Sequence, residues 1–353
     1  MSHQLTIEPV GEMIEVEEGQ TLLDACLRHG IYIPYQCNHG LCSTCKVDVL
    51  EGEVDQGDAS AFALMDFERE EGKALACCAR ALSDVVIEAE IEQDPDAQHL
   101  PICDLTGKVA EIVDLTADIK GISIELPGAG LAFQAGQYIN LEIPGLPETR
   151  AFSLANPPSQ KTRLELHVRL VPGGKGTIYL HHDLAVGDEV KLHGPLGRFF
   201  VRKSASEAMI FIAGGSGLSS PKSMILDLLE EGCEKDIVLF HGVRTQADLY
   251  CRDMFEACAR DHSNFTYVPA LSQQKPGGEW RGETGFIHEV AARHFDGKFK
   301  DHKAYLCGPP PMIEASIRSL MKGRLFEKDI YTEKFVTHAD GELATRSPLF
   351  KRI

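Results

Sequence analysis

Residues 37–45 read CNHGLCSTC, and residues 75–80 read LACCAR. Cys37, Cys42 and Cys45 have the spacing C-x4-C-x2-C, and a fourth cysteine follows far downstream at Cys77 or Cys78. Three thiolates from one tight loop and a fourth from elsewhere suit the two irons of a [2Fe–2S] cluster. Gly40, Ser43 and Thr44 are small, so backbone N–H groups can approach the sulfurs and tune the potential. Zinc is the alternative, but it is usually held by two CxxC pairs or by CxxC with paired histidines. Here there is one CxxC, and His39 lies inside the loop.

Around this loop, QLTIEP and EMIEVEEG have the character of strands, TLLDACLRHG of a short helix and DVVIEAEI of a returning strand. Residues 1–92 form one domain on this reading and 93–101, polar with two prolines, a linker. The domain carries 19 acidic and 5 basic side chains, a balance of −14 out of −18 for the whole chain. A field so concentrated argues against nucleic acid and for a basic protein partner; plain solubility is the bland alternative. Eleven cysteines without a secretory leader at the N-terminus point to a reducing, cytoplasmic setting and to metal or redox chemistry. Cys26, Cys78, Cys103, Cys233, Cys251 and Cys258 show no metal spacing and read as small buried apolar residues. No apolar run reaches the ~18 residues of a membrane span.

At about 100–200 residues per domain, the remaining chain has room for two more. Residues 102–202 hold short segments punctuated by Gly and Pro, among them KVAEIVDLT, IKGISIELP, GQYINLEIP, TRLELHVRLV and DEVKLHGPLG. That rhythm predicts an antiparallel β-barrel interrupted by one helix at GTIYLHHDLA. From 203 to 353 strands alternate with helices: AMIFIAGG then SSPKSMILDLLEEG, DIVLFHGV then ADLYCRDMFEACARD, AYLCGPPP then MIEASIRSLMKG. That alternation predicts a Rossmann-like parallel α/β domain, with the tail 337–353 unassigned.

Three motifs lie in these two domains. Residues 150–153 read Arg-Ala-Phe-Ser, and HVRLVPGGKGTIYL follows at 167–180. Residues 210–221 read IFIAGGSGLSSP, a strand, a Gly-rich turn and a helix start with Pro221 in its first turn. Nearly a hundred residues later comes YLCGPPPM, Tyr305 to Met312. Taken singly, each is weak: a barrel with a glycine turn and a buried strand-end cysteine would explain them.

In order, the RAFS and GGKGT segments resemble the flavin domain of the ferredoxin–NADP reductase superfamily, and CGPPPM resembles that superfamily's CGPP-x-M nicotinamide motif. The cysteine loop resembles plant-type ferredoxins, whose last ligand follows a Leu-x pair; this selects Cys77, after Leu75-Ala76, with Cys78 facing the adjacent core. The resemblance covers essentially the whole chain. Its order resembles the reductase components of bacterial multicomponent oxygenases, those of phenol hydroxylase foremost, which are akin to the reductase of soluble methane monooxygenase. It implies a β-grasp-like [2Fe–2S] ferredoxin domain, an antiparallel FAD-binding barrel and an NAD(P)H-binding domain.

The resemblance also implies roles. Arg150 would hold a phosphate with its rigid fork of donors. Phe152, where the superfamily more often has Tyr, would offer its face to the isoalloxazine, and Ser153 a hydrogen bond to the flavin N5 edge. Ala151, His167, Val168 and Arg169 would border the flavin. Gly173, Gly174 and Thr177 would bring a helix N-terminus to the pyrophosphate. Gly214, Gly215, Ser216 and Gly217 would meet the dinucleotide. Cys307, with Gly308 and Pro309, would stand beside the reactive nicotinamide carbon. Phe335 would cover the flavin and Glu333 orient the entering ring. HGVRTQADLY offers Arg244 and Thr245 but no dense basic cluster, and Asp248 is nearby, which favours NADH over NADPH.

The electron count then sets the chemistry. NADH gives two electrons as a hydride, a flavin accepts two and releases them singly, and a [2Fe–2S] cluster carries one. The expected acceptor is a diiron hydroxylase acting on phenol. The alternatives are a Rieske-type ring-hydroxylating dioxygenase as acceptor, and a redox carrier whose C-terminal half has lost catalysis.

Overall fold

The computed structural model describes residues 2–35, 40, 43–91, 94–274 and 279–335. Two compact units meet between Cys103 and Asp104.

The first unit is built on β1 (His3–Glu8) and β2 (Glu12–Val16), an antiparallel hairpin, and α1 (Leu22–Arg28). Thr21 caps α1, its hydroxyl accepting from the Asp24 N–H at 3.2 Å, a bond typically worth about 1 kcal/mol. Next come β3 (Lys46–Glu51), β4 (Val54–Asp55), α2 (Asp66–Glu70), β5 (Lys73–Leu75), β6 (Arg80–Ala81) and β7 (Val85–Glu88). The five-stranded sheet runs β2-β1-β7-β3-β5, with β1 and β7 parallel and the other pairs antiparallel. Leu22, Leu23, Ala25, Cys26 and Leu27 of α1 are buried. This is the expected grasp of one helix by a mixed sheet.

The second unit opens with a six-stranded antiparallel sheet. Its strands are β8 (Cys103–Asp114), β9 (Ile119–Glu125), β10 (Tyr138–Leu141), β11 (Arg150–Ser153), β12 (Arg163–Arg169) and β13 (Glu189–Leu196), with α3 (Lys175–His182) between the last two. The order is β11-β10-β13-β8-β9-β12, and a Leu154–Leu166 bridge ties the outer strands into a barrel. Its core gathers Val109, Ile124, Ile139, Leu164, Leu166 and Val168. Closure at that bridge leaves β11 and β12 as the seam, so the RAFS and HVR segments face each other.

The chain continues through β14 (Ala208–Gly214), α4 (Ser219–Glu230), β15 (Ile237–Val243), α5 (Arg252–Asp261), β16 (Phe265–Leu271), β17 (Glu283–Thr284), α6 (Ile287–His294), β18 (His302–Gly308), α7 (Pro310–Lys322) and β19 (Ile330–Lys334). All six strands are parallel, in the order β17-β16-β15-β14-β18-β19. Central β14 is apolar and almost wholly buried, as a strand covered on both faces must be. The order reverses at β14, between β15 and β18, which in open α/β sheets is where ligands bind outside the strands' carboxyl ends.

Two expectations need correction. The helix expected from Ala247 begins only at Arg252. Thr245 and Asp248 close a short 3-10 turn over Gln246–Asp248, and Cys251 has a left-handed φ of +55°, so Tyr250 is fully turned inward before the helix starts. Cys103, expected to be buried, is exposed, standing on the outward-facing first position of β8, and Cys233, Cys251 and Cys258 are half-buried.

Candidate active site

In the first unit, Cys45 and Cys77 are buried and their thiols interact. The Gly40 N–H points at the Cys77 sulfur. Cys37 and Cys42 lie outside the described residues. The Cys45 thiol, and then burial, push the Cys77 thiol well up, which a bound metal inverts by holding the thiolate. The Cys78 sulfur is 3.7 Å from that of Cys77 and would lie 2.7 Å from a Cβ on Gly40, whose φ is +79°. Only glycine fits there, and it brings a backbone donor to the sulfurs. These donors suit a [2Fe–2S] cluster.

In the barrel, Gly173 (φ +74°) turns the chain and Gly174 precedes α3 without a side-chain cap. The first N–H groups of α3 are thus left for an anion. A Cβ on Gly176 would meet the Arg150 side chain at 3.0 Å, so this glycine lets Arg150 lie across the helix start. Its guanidinium bonds the Glu148 and Thr149 carbonyls at 3.0 and 2.9 Å. A cationic fork over an uncapped helix start fits the diphosphate of FAD. Thr177 does other work than expected: its hydroxyl accepts from the Val171 N–H and donates to the Gly174 carbonyl, both at 3.1 Å, and so locks the turn. Phe152 is half-buried against the barrel core and Ala151 is exposed. Val168 is buried in that core, and His167 is buried between Glu165 and Tyr250. Toward the seam, β12 therefore offers backbone and the Arg169 side chain. Arg169 is held by Asp118 at 2.9 Å and would lie 3.6 Å from a Cβ on Gly215.

At the carboxyl ends of β14 and β18 the backbones nearly touch. A Cβ on Gly217 would stand 2.5 Å from the Cys307 carbonyl, and one on Gly214 2.5 Å from the Met312 sulfur. Gly308 has φ +144° and faces the Gly214 carbonyl, while Pro309 leads into α7. Such a cradle is what a flat dinucleotide needs from a backbone. Beside it, three side chains converge on one oxygen: Glu333 Oε2 accepts from Ser153 Oγ at 3.1 Å, Ser220 Oγ at 2.6 Å and Cys307 Sγ at 3.5 Å. Burial pushes the Glu333 carboxyl up, against the pull of those donors. Burial also pushes the Cys307 thiol well up, with the Glu333 charge adding to it. The thiol is thus held protonated as a neutral donor. Phe335 follows, its N–H on the Gly308 carbonyl at 3.0 Å and its ring partly buried against the core.

Ser153, Cys307 and Glu333, which come from RAFS, CGPP and YTEKF, therefore share one site. Ser220 completes it. Its position in the first turn of a helix after GGSG was the available signal. Gly176, the third glycine of GGKG, was equally legible. Less so was a buried network between the barrel and the nucleotide sheet: Lys222 Nζ lies 2.5 Å from Glu165 Oε2, Glu165 Oε1 lies 2.9 Å from His167 Nε2, and Tyr250 hydroxyl lies 3.2 Å from His167 Nδ1.

Comparison with known proteins agrees with this geometry. Residues 5–82 match the 2Fe-2S iron-sulfur cluster binding domain, 106–201 the oxidoreductase FAD-binding domain and 211–318 the oxidoreductase NAD-binding domain. The chain is 59% identical over 354 residues, covering 100% of both chains, to the reductase component of phenol 2-monooxygenase, DmpP, of Pseudomonas sp. strain CF600. It is 54% identical, again over 100% of both, to the phenol hydroxylase P5 protein of Acinetobacter pittii strain PHEA-2. Among solved structures, the Amycolatopsis cytochrome P450 reductase GcoB superposes with a TM-score of 0.83 at 37% identity, covering 94% of this chain and 98% of that one. A cysteine-bearing β-grasp unit, together with a flavin barrel and a nucleotide sheet that share one polar site, in a chain with these relatives, place it in the family of oxygenase reductase components: it is an oxidoreductase that carries a [2Fe–2S] cluster, FAD and an NAD-binding domain.

Proposed function

We propose that the chain is the NADH-dependent reductase of a multicomponent phenol monooxygenase, feeding a diiron hydroxylase. The observation that carries the redox path is the convergence of Ser153, Ser220 and Cys307 on Glu333 at the mouth of the nucleotide cradle. The identity of the acceptor rests on the two relatives named for phenol, which favour it over a Rieske-type dioxygenase.

When bound, FAD takes the hydride's two electrons and the [2Fe–2S] centre passes them on one at a time. The chain's own groups do the rest. Arg150 and the start of α3, with Gly173 and Gly174, hold the diphosphate. Gly214, Gly215, Ser216 and Gly217 receive the dinucleotide, and Gly308 and Pro309 shape the nicotinamide slot. Cys307 and Ser153 border the reacting atoms, Glu333 fixes the ring by accepting from its carboxamide, and Phe335 fills the slot when it is vacant. Cys37, Cys42, Cys45 and Cys77 are the cluster ligands. The domains on this reading are 1–92, 102–202 and 203–353, with 93–101 as linker.

Support for NADH comes from the turn after β15. There the Asp248 carboxylate accepts from both the N–H and the hydroxyl of Thr245 at 2.8 Å, which sets a negative charge where NADPH would bring a phosphate. The test is reduction of cytochrome c by the reconstituted protein with NADH and with NADPH, then phenol hydroxylation with the hydroxylase of the Pseudomonas relative added. NADH-driven turnover of both is expected. No NADH-dependent cytochrome c reduction would end the enzyme reading, and equal rates with NADPH would end the assignment of NADH.

A further inference from the structure

We infer that Tyr250 is a positioning residue for the dinucleotide turn, held in place from the flavin barrel by His167 and Glu165, with Lys222 of α4 pairing Glu165. The inference rests on reading residues 214–217 as that turn.

Tyr250 lies just before α5 and is almost wholly buried. Its hydroxyl donates to the Gly215 carbonyl at 3.1 Å and lies 3.2 Å from His167 Nδ1. Gly215 has a φ of +57° and opens the 3-10 turn Gly215–Leu218. The peptide after it is planar and trans, so the Ser216 N–H points opposite to the Gly215 carbonyl. Fixing the carbonyl toward Tyr250 therefore aims that N–H to the other side, where an anionic dinucleotide would be received. Without the anchor, this peptide is flanked by glycines at 214, 215 and 217 and can rotate.

The anchor is built at some cost. Lys222 is buried and Glu165 is largely so, charges that are stabilising out of water only when each is paired, and the buried His167 imidazole, which burial keeps toward the neutral form, also takes up space an apolar group could fill. The pairs run from α4 to β12, and the His167 ring meets the Tyr250 ring edge-on at 5.1 Å. Apolar side chains would fill this volume with less desolvation. What they could not do is deliver a hydroxyl to Gly215 at a fixed height. A neighbouring pair supplies the internal control: Tyr267 hydroxyl lies 3.0 Å from His241 Nδ1 in the same cluster and has no bond to the turn.

The experiment compares Tyr250→Phe and Tyr267→Phe in the holoprotein. The readouts are NAD+ affinity by calorimetry, KM and kcat for NADH with ferricyanide, FAD content and thermal midpoint. Loss of one hydrogen bond predicts about a three- to tenfold rise in Kd and KM for Tyr250→Phe, with kcat within about twofold and FAD retained. Tyr267→Phe is expected to leave Kd and KM unchanged. Unchanged affinity in Tyr250→Phe, or an equal loss in Tyr267→Phe, overturns the inference. Hydrogen exchange of residues 214–219 in the unmodified protein, with and without NAD+, tests the turn itself. If NAD+ leaves exchange there unaltered, the reading of the turn fails; if NAD+ protects it while Tyr250→Phe binds normally, only the role of Tyr250 fails.

Discussion

Gly217→Ala should separate hydride transfer from cofactor retention. An added Cβ would lie 2.5 Å from both the Cys307 carbonyl oxygen and the Gly308 Cα, where ordinary contact begins at 3.4 Å, an overlap of about 0.9 Å. Both obstacles are backbone, and β18 is hydrogen-bonded to β14 on one side and β19 on the other, so neither can rotate away. The start of α4 and the end of β18 must part by nearly that distance. Ser220 and Cys307 ride on those two pieces and meet at Glu333. A misplacement of about 1 Å at a reacting centre typically costs about 100-fold in rate, and overpacking of this kind about 1–3 kcal/mol in stability. The assay is anaerobic stopped-flow reduction of the flavin by NADH. The rate is expected to fall about 100-fold, with FAD content and cluster absorbance preserved, because Arg150, α3 and the cysteines belong to other elements. A rate within twofold of the unmodified protein, with FAD bound, would refute the claim that this contact sets the geometry.

Three further outcomes are expected. Cys77→Ser should lose the [2Fe–2S] absorption while Cys78→Ser keeps it; the reverse pattern would reassign the ligand. Burial alone would raise the Glu165 carboxyl, but the His167 bond and the Lys222 charge hold it at about 2 against an ordinary 4.5. Its stabilisation is therefore present above pH ~4.5 and lost as pH falls toward ~2, so Glu165→Gln should cost roughly 3 kcal/mol at pH 7 and less at pH 4. Thermal midpoints at both pH values check this, and a loss that grows on acidification would be inconsistent with it. Finally, electron delivery to the hydroxylase should slow as ionic strength rises, since the first 92 residues hold −14 of the net charge; a flat salt dependence would rule out electrostatic docking.

Local pattern was enough for most of the architecture. The apolar run of β14, the glycines after it and the amphipathic stretch of α4 are short-range signals, and the strand–turn–helix they spell is present. RAFS, CGPP and YTEKF named three of the four side chains of that polar site, Ser153, Cys307 and Glu333. What escaped has a common cause. Lys222 stands on a helix where a lysine ordinarily faces water, yet its partner Glu165 lies 57 positions away on a barrel strand. No periodicity links such residues; only the tertiary fold brings them together. His167 was placed correctly on its strand, but its side chain answers to Tyr250, 83 positions on. The late start of α5 was hidden for a related reason: ADLY has ordinary helix formers, and the burial of Tyr250 overrides them.

Helix α4 faces two masters. Ser220 bonds β19 through Glu333, Lys222 bonds β12 through Glu165, and Ser223 bonds the Asn156 carbonyl just beyond β11. Lys222 and Ser223, within one turn, thus rivet the nucleotide sheet to the flavin barrel, while Ser220 holds the Glu333 that also takes Ser153 of the barrel. A substitution there has to be tolerated by both lobes at once, so barrel and sheet are bound to drift together through descent as a single engine.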